Sequence, residues 1–236
     1  MRKPLLIAAL ACVVMSPIHA EQSRPAAYDT RTVPVGSFEK LKIVGPFKVS
    51  ARTGGSPQVI LTGPPVMLAD TIVDTSDNRL TVRFRKGAKW SWNRDAGVNV
   101  EIVAPRLTSV GVEASGRLDV VRPESAAFTA ATSGSGSIRL VDLKANEVQF
   151  SIGGSGSITA SGDAQNGAYS IGGSGSIDAR RLRVATANIA IGGSGSVDAY
   201  ATRAASISVG GSGSVSVEGG ATCVKQPTNS ARIVCR

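Results

Sequence analysis

The chain has 236 residues, 26 lysines and arginines against 17 aspartates and glutamates, and a formal net charge of +9. Its single histidine is His19, near the N-terminus, which excludes a histidine-dependent catalytic triad or a histidine zinc site in the body of the chain. Such a positive charge favours acidic partners, among them anionic glycans, lipopolysaccharide and nucleic acid.

The N-terminus has the pattern of a secretory signal peptide, which we assign to residues 1–20. Arg2 and Lys3 precede the apolar run PLLIAALACVVM, and SPIHA ends in a small residue at Ala20. The run is too short to span a bilayer, and no later run approaches the ~18 apolar residues of a membrane helix. Lipidation of Cys12 is the alternative, although AALAC lacks the leucine expected three residues before a lipidated cysteine.

We therefore expect export through the Sec pathway, to the periplasm or the outer surface of a Gram-negative type envelope. Removal of residues 1–20 leaves 24 basic and 17 acidic side chains, a net charge of +7. An exported chain is not expected to meet nucleic acid. The expected partners are an anionic glycan, lipopolysaccharide or another envelope component.

Residues 33–110, the first half, are predicted to form irregular β-strands after a loose leader at residues 21–32. The stretches FEKLKIVGPFKVSA, PQVILTG, NRLTVRFR and VNVEIVAP are alternating or apolar, and glycine, proline and Asp-Asn turns separate them. PPVMLADTIV permits one short helical turn. No break in composition follows, so we predict one continuous solenoid over residues 33–218.

A basic aromatic segment, RFRKGAKWSWNR, interrupts this pattern and holds both tryptophans of the chain. Indole faces stack on sugar rings, and guanidinium groups bind phosphate or carboxylate in pairs. The segment is therefore the candidate ligand-binding site; the alternative is a solvated hairpin whose tryptophans cover the edge of the core. The candidate residues are Arg83, Arg85, Lys86, Lys89, Trp90, Trp92 and Arg94.

A Gly-Ser-Gly turn recurs through residues 111–218, the repeat half, each time followed after one residue by an aliphatic side chain. These aliphatic residues are 20, 20, 19, 20 and 18 positions apart, at 118, 138, 158, 177, 197 and 215. A constant period near 20 residues is typical of a solenoid. Within each repeat, apolar residues alternate with small or polar ones, as they do in strands with one buried face.

The predicted fold is all-β: a single-stranded right-handed β-helix of ~20-residue coils, with two flattened parallel sheets and Gly-Ser-Gly corners. Each coil consists of a strand, the corner, a second strand and a variable return loop. Ile158, Ile177, Val197 and Val215 should form one internal ladder. The glycines should permit backbone angles that a Cβ would obstruct, and they should allow successive corners to stack closely. A phosphate-binding loop lies between a strand and a helix, whereas this motif connects two strands. Calcium-binding nonapeptide repeats have a period of nine residues and an aspartate in the turn, and this motif has neither.

Residues 219–236 are predicted to cap the far end of the solenoid, where an open sheet edge would otherwise invite aggregation. Cys223 and Cys235 are the only cysteines after the signal peptide. In an oxidising compartment such a pair indicates a disulfide bond. Two free thiols are the alternative.

The order of these stretches resembles a known family. FEKLKIVGPFKVSARTGGSPQVILTG, NRLTV, VNVEIVAPRLTSVGVEASGRLDV and the serial Gly-Ser-Gly turns are similar to the GIN domain, named as the head domain of autotransporter adhesins. The resemblance covers residues 33–218. It implies a β-helix related in shape to the pectin lyases, with no catalytic residues and a role in adhesion.

One carboxylate pair gives an enzyme hypothesis its best case. Asp178 and Asp198 occupy equivalent positions in consecutive coils, about 4.8 Å apart at the backbone, and retaining glycosidases place two carboxyls ~5–5.5 Å apart. The alternative is a solvated ladder partly neutralised by Arg180 and Arg181.

We predict a non-enzymatic binding or adhesive protein without cofactor or metal. A carbohydrate-active enzyme and a purely structural periplasmic protein are the alternatives.

Overall fold

The structure, a computed structural model, describes residues 28–88, 97–226 and 231–236. Apart from one short helix, the elements are strands. In chain order they are β1 (Asp29–Val33), β2 (Lys40–Val44), β3 (Lys48–Thr53), β4 (Gln58–Gly63), α1 (Pro65–Asp70), β5 (Thr71–Ser76), β6 (Arg79–Phe84), β7 (Asn99–Ala104), β8 (Ser109–Ala114), β9 (Arg117–Val121), β10 (Glu124–Gly134), β11 (Ser137–Ile152), β12 (Ser157–Ile171), β13 (Ser176–Ile191), β14 (Ser196–Val209), β15 (Ser214–Glu218), β16 (Thr222–Lys225) and β17 (Arg232–Cys235).

These strands stack in parallel into a β-solenoid of about six turns, which confirms the predicted fold class. In each coil of the repeat half one strand leads into the Gly-Ser-Gly corner and another leaves it. The residues that lead into the corners form the first sheet, and the residues that follow the corners form the second sheet, so that β11 to β14 each contribute to both. Every neighbouring pair from β8 and β9 to β15 is parallel.

The predicted internal ladder is confirmed in the second sheet. Ile158 pairs with Ile177, Ile177 with Val197 and Val197 with Val215, and each of the four side chains is at most 2% exposed. The first sheet faces it with a second aliphatic ladder, Ile152, Ile171, Ile191 and Val209. Alternation along each strand therefore produces a thin apolar core that continues from coil to coil.

The corner glycines are required mainly because successive corners stack closely. A Cβ on Gly154 would lie 2.5 Å from the carbonyl oxygen of Gly134, and the same clash recurs at Gly173, Gly193 and Gly211. Of these glycines only Gly134, with φ +113°, has a left-handed backbone. Close stacking, rather than backbone angle, thus explains most of the motif.

The return segments differ from the variable loops that were predicted. Strands β11 to β14 each run for 14 to 16 residues from one corner through the return to the next. Lys144 pairs with Asp163 and Ala145 with Ala164, so the returns are also hydrogen-bonded. Register shifts lie between Leu140 and Leu143 and at similar places in later coils. The returns therefore absorb the small differences in repeat length.

The first half departs from a simple succession of rungs. Strands β2 and β3 form the first coil, and β8 and β9 stack directly on them, although more than fifty residues intervene. The intervening chain lies on the other side of that coil, where β6 pairs with β2 and β7 with β3. Beyond these, β5, β4 and β1 pair antiparallel and finish this end of the solenoid.

Two local predictions for the first half have clear outcomes. The short helical turn is present as α1, which begins at Pro65, where a proline costs no helical hydrogen bond. Residues 29–32, which were predicted to belong to a loose leader at residues 21–32, instead form part of β1, which begins at Asp29 and pairs with β4. Residues 21–27 lie outside the described residues. The signal peptide at residues 1–20 lies outside the described residues. Among the residues that the structure describes, no helix is long and apolar enough to cross a membrane.

The C-terminal segment adds a last strand to each sheet. β16 pairs with β14 in the first sheet, and β17 pairs with β15 in the second. The predicted disulfide bond between Cys223 and Cys235 is present and joins these two strands. The sheets are thus covalently linked at the end where no further coil follows within the described residues.

Candidate binding surface

The structure describes three of the seven predicted ligand-binding residues. Arg83 is exposed near the end of β6, beside Val44 of β2, and Arg85 and Lys86 follow in an exposed turn. Lys89, Trp90, Trp92 and Arg94 lie outside the described residues. The described cations therefore lie at the N-terminal end of the solenoid, beside the first corner at residues 45–47.

Two contacts fix this turn to the solenoid. Phe84 stacks on Phe47 of the first corner, with ring centroids 4.2 Å apart. The backbone N–H of Arg85 donates to the Asp70 carbonyl oxygen over 2.8 Å, and the Nε atom of the Arg85 side chain lies 3.8 Å from the Asp70 carboxylate. The side chain of Arg85 remains 65% exposed. These contacts hold the backbone in place while the guanidinium stays accessible to a ligand.

The positive charge of the protein is concentrated in the first half. Residues 33–110 contain eleven lysines and arginines and six aspartates and glutamates, whereas residues 111–218 contain eight and nine. The two halves thus differ by a net charge of +5 against −1. A surface with this excess attracts anions over roughly a Debye length, ~8–10 Å near physiological ionic strength.

Strand register adds cations that the sequence did not identify as a site. Arg79 of β6 lies beside Lys40 of β2 in the first sheet, and Lys48 of β3 lies beside Arg117 of β9 in the second. A groove of about 440 Å³ adjoins the first pair, and one of about 880 Å³ adjoins the second. Alternation alone predicts that these side chains point outward. Only the pairing of distant strands shows that they are neighbours.

In the repeat half, register instead brings opposite charges together. Glu124, Lys144, Asp163 and Arg183 follow one another across four coils along the return segments. The column continues with Tyr200, whose ring centroid lies 5.6 Å from the Arg183 guanidinium carbon, and with Glu218 in the next coil. Opposite charges on neighbouring strands favour this pairing over a slipped one. The column therefore supports the register of the coils.

Asp178 and Asp198 are neighbours across β13 and β14, as predicted. Arg180 donates from Nε to Oδ1 of Asp178 over 2.9 Å and from Nη2 to Oδ2 over 2.7 Å. These hydrogen bonds hold the pKa of Asp178 below its usual range, against a smaller opposing effect of burial. A glycosidase acid needs a raised pKa. The geometry therefore supports the solvated, arginine-neutralised ladder.

The described part of the chain contains no group of three or more histidine, cysteine, aspartate or glutamate side chains placed to hold a metal ion. The first half of the described surface carries an excess of positive charge. This excess consists of guanidinium and ammonium groups on strands of a rigid sheet and in the turn that follows β6.

The family model described as "Putative auto-transporter adhesin, head GIN domain" matches residues 37–221 of the chain. Among curated proteins, none matches the chain significantly. The match spans both halves and reaches the last coils before the disulfide.

Several solved structures share the fold. A putative adhesin from Bacteroides fragilis superposes with a TM-score of 0.80 at 22% identity, covering 89% of this chain and 97% of its own. A putative lipid binding protein from Parabacteroides distasonis gives 0.72 at 18% identity, covering 89% and 96%. A putative adhesin from Parabacteroides merdae gives 0.68 at 21% identity, covering 89% and 96%. At these identities the likeness shows a common fold.

Proposed function

The chain belongs to the GIN domain family of adhesin heads, and we propose that it is an exported, non-enzymatic β-solenoid that attaches to an anionic component of a bacterial envelope. The ligand is an anionic glycan or a lipopolysaccharide headgroup. The binding surface is the basic N-terminal end, with Arg83, Arg85 and Lys86 in the described part. Lys89, Trp90, Trp92 and Arg94 belong to the proposal on sequence grounds alone.

The observation that carries the proposal is the excess of positive charge in the first half on an otherwise nearly neutral solenoid. Guanidinium groups donate two parallel hydrogen bonds to phosphate or carboxylate. The stack of Phe84 on Phe47 and the Arg85–Asp70 contacts hold the start of the segment in place. A fixed backbone lowers the conformational entropy lost on binding.

Binding to immobilised lipopolysaccharide and to whole bacterial cells tests the proposal. We expect weaker binding by Arg83→Ser with Arg85→Ser, and by Trp90→Ala with Trp92→Ala, and a steep loss of wild-type binding as salt is raised. The matched control is Arg181→Ser with Arg203→Ser, which removes two exposed charges from the repeat half. Its binding should be unchanged.

Two further results would decide against the proposal. Wild-type binding by both folded variants of the basic segment would leave that segment as an ordinary solvated hairpin. Release of reducing sugar from a glycan by the same purified sample would instead favour a carbohydrate-active enzyme.

Export is tested by the intact mass of the protein recovered from the periplasm or medium. We expect a mature N-terminus at Glu21 and a disulfide-bonded C-terminal segment. A mass that includes acyl chains on Cys12 would replace this maturation with lipidation.

A further inference from the structure

We propose that the first sheet carries a separate anion site, in which Arg79 and Lys40 bind the phosphate monoester of a phosphorylated sugar. This inference goes beyond the proposed function, because it uses residues outside the basic aromatic segment. It would hold whether or not that segment binds a cell surface.

The first observation is an uncompensated pair of like charges. Register places Arg79 directly beside Lys40 on neighbouring strands, about 4.8 Å apart at the backbone, with both side chains exposed. Neither side chain forms an ion pair or a side-chain hydrogen bond with another of the described residues. Like charges directly opposite one another destabilise a sheet. A dianion held between them removes that cost.

The surrounding carboxylates do not neutralise the pair. Arg106 binds Glu39 over 2.7 Å, Lys42 binds Glu113 over 2.8 Å, and Asp74 accepts a hydrogen bond from Ser76. Asp77, in the exposed hairpin turn before Arg79, forms no ion pair with any described cation. Asp74 and Asp77 lower the local positive potential, but no described carboxylate forms an ion pair with Lys40 or Arg79, so both cations remain accessible to an external anion.

The second observation is the shape of the surface beside the pair. On the C-terminal side, the column of Arg79 and Lys40 continues with Ser109 and Thr129, whose hydroxyls can hydrogen-bond to a sugar. The adjacent column continues from Lys42 with Gly111 and Ala131. These small residues form the floor of the groove of about 440 Å³, with the long cationic side chains at one end.

The arrangement fits a phosphate monoester better than a carboxylate. A phosphate monoester carries up to two negative charges and has three terminal oxygens, so that each cation can bind a different oxygen. A carboxylate neutralises only one of the two cations. The sugar attached to the phosphate would lie over the small residues Gly111 and Ala131, beside the Lys42–Glu113 ion pair that also lines the groove.

The second like-charge pair supplies a matched comparison. Lys48 and Arg117 have the same register relationship in the second sheet. In that groove, however, the carboxylates of Glu101 and Asp119 occupy the next outward column on either side of the pair. They lower the local positive potential, so this pair should bind phosphate much more weakly.

The experiment is a titration of the full chain, followed by backbone amide NMR shifts at constant ionic strength, with inorganic phosphate, glucose 1-phosphate and glucose. The variants are Lys40→Gln with Arg79→Gln, and Lys48→Gln with Arg117→Gln as the control. We expect saturable shifts at Lys40, Arg79 and Ser109 with both phosphates, and additional shifts at Gly111 and Ala131 with glucose 1-phosphate only. The first variant should bind about a hundredfold more weakly, because it removes two charged hydrogen bonds that are each worth roughly tenfold. The control should bind as the wild type does.

Equal binding by wild type and the Lys40/Arg79 variant, or an equal loss in the control, would overturn the proposal. Shifts with glucose as large as those with glucose 1-phosphate would overturn the role of phosphate. Circular dichroism of each variant shows that the fold is retained. Co-sedimentation with phosphatidylcholine vesicles containing lipid A, lost in the Lys40/Arg79 variant, would assign the phosphate to a lipid headgroup. Binding of glucose 1-phosphate without co-sedimentation would assign it to a soluble sugar phosphate.

Discussion

The two halves of the solenoid differ in how their strands pair. In the repeat half every pair is parallel, and the same corner recurs in each coil, so equivalent positions of successive coils meet. In the first half parallel and antiparallel pairs are mixed, and strands distant in the chain are neighbours. The return segments of the repeat half align opposite charges, whereas like charges are aligned at Arg79–Lys40 in the first half and at Lys48–Arg117, where the first half meets the repeat half.

This difference in charge alignment suggests that the repeat half mainly stabilises the solenoid, whereas the first half presents side chains for binding. The repeats gain register from corners, ladders and complementary charges, and they carry a net charge of only −1. The first half has its register fixed by backbone pairing and an apolar core, which leaves its outward side chains free to repel one another. Both proposed sites lie where the regular pattern is broken.

The largest expected effect tests whether the aliphatic ladder holds the repeat half together. Ile177→Asp places an unpaired charge between Ile158 and Val197, where the side chain is 1% exposed. We expect a loss of about 4 kcal/mol in the free energy of unfolding, measured by urea titration. Ser157→Asp, in an outward column of the same sheet, is the control and should be nearly neutral. Similar losses in both variants would refute the ladder.

The next prediction tests the stacking of the corners. Gly173→Ala would drive a Cβ into the carbonyl oxygen of Gly154, whereas a Cβ on the adjacent Gly172 would lie 3.9 Å from the carbonyl oxygen of Ile152, an ordinary contact. We expect Gly173→Ala to cost about 3 kcal/mol and Gly172→Ala less than about 0.5 kcal/mol. Thermal unfolding of the two variants measures the difference. Equal costs would mean that backbone flexibility, not stacking, selects these glycines.

A third prediction exchanges the charge patterns of the two halves. Asp163→Lys creates three consecutive cations, with Lys144 and Arg183, in the repeat half. Lys40→Glu places an anion beside Arg79 in the first half. We expect the first substitution to destabilise and the second to stabilise the protein by about 0.5 kcal/mol each, because cross-strand pairs have this magnitude. Both changes in stability should become smaller in high salt. If both substitutions changed the stability in the same direction, the proposed difference in charge pattern between the two halves would be wrong.

The smallest effect concerns the like-charge pair of the repeat half, Asp178 and Asp198. Hydrogen bonds from Arg180 lower the pKa of Asp178, so their stabilising contribution is complete above the unfolded pKa of ~3.9 and is lost as the pH falls below it. Asp178→Asn should therefore lower the urea midpoint slightly at neutral pH. The difference from wild type should shrink as the pH falls below about 4 and the carboxyl becomes protonated. A difference that persists there would indicate lost packing rather than lost charge.

Periodicity explains how much of the repeat half could be predicted. A period of two within strands and a period near 20 between them place Ile158, Ile177 and Val197 in one ladder, because each strand pairs with the next one along the chain. The glycine spacing likewise predicted the corners. The hydrogen-bonded returns could not be foreseen, because their residues vary and only stacking on the neighbouring coil orders them.

The first half was predictable only element by element. Its strands and the short helix have local signals, but the pairing of β2 with β6 joins residues almost forty positions apart and leaves no periodic trace. The neighbouring positions of Lys40 and Arg79 depend on that pairing, so the sequence did not reveal them as a site. The basic aromatic segment was visible because its charges and indoles are contiguous in the chain.

The stacked glycine corners also have a consequence for inheritance. A recombination event that removed one coil, from Ile158 to Ser176, would join Ser157 to Ile177 and leave glycine facing glycine at the new junction. The basic end and the disulfide-linked end would remain, about 4.8 Å closer together. A duplication would move them apart by the same step. The length of this protein can therefore change by whole coils during evolution, while the basic end and the disulfide-linked end stay the same.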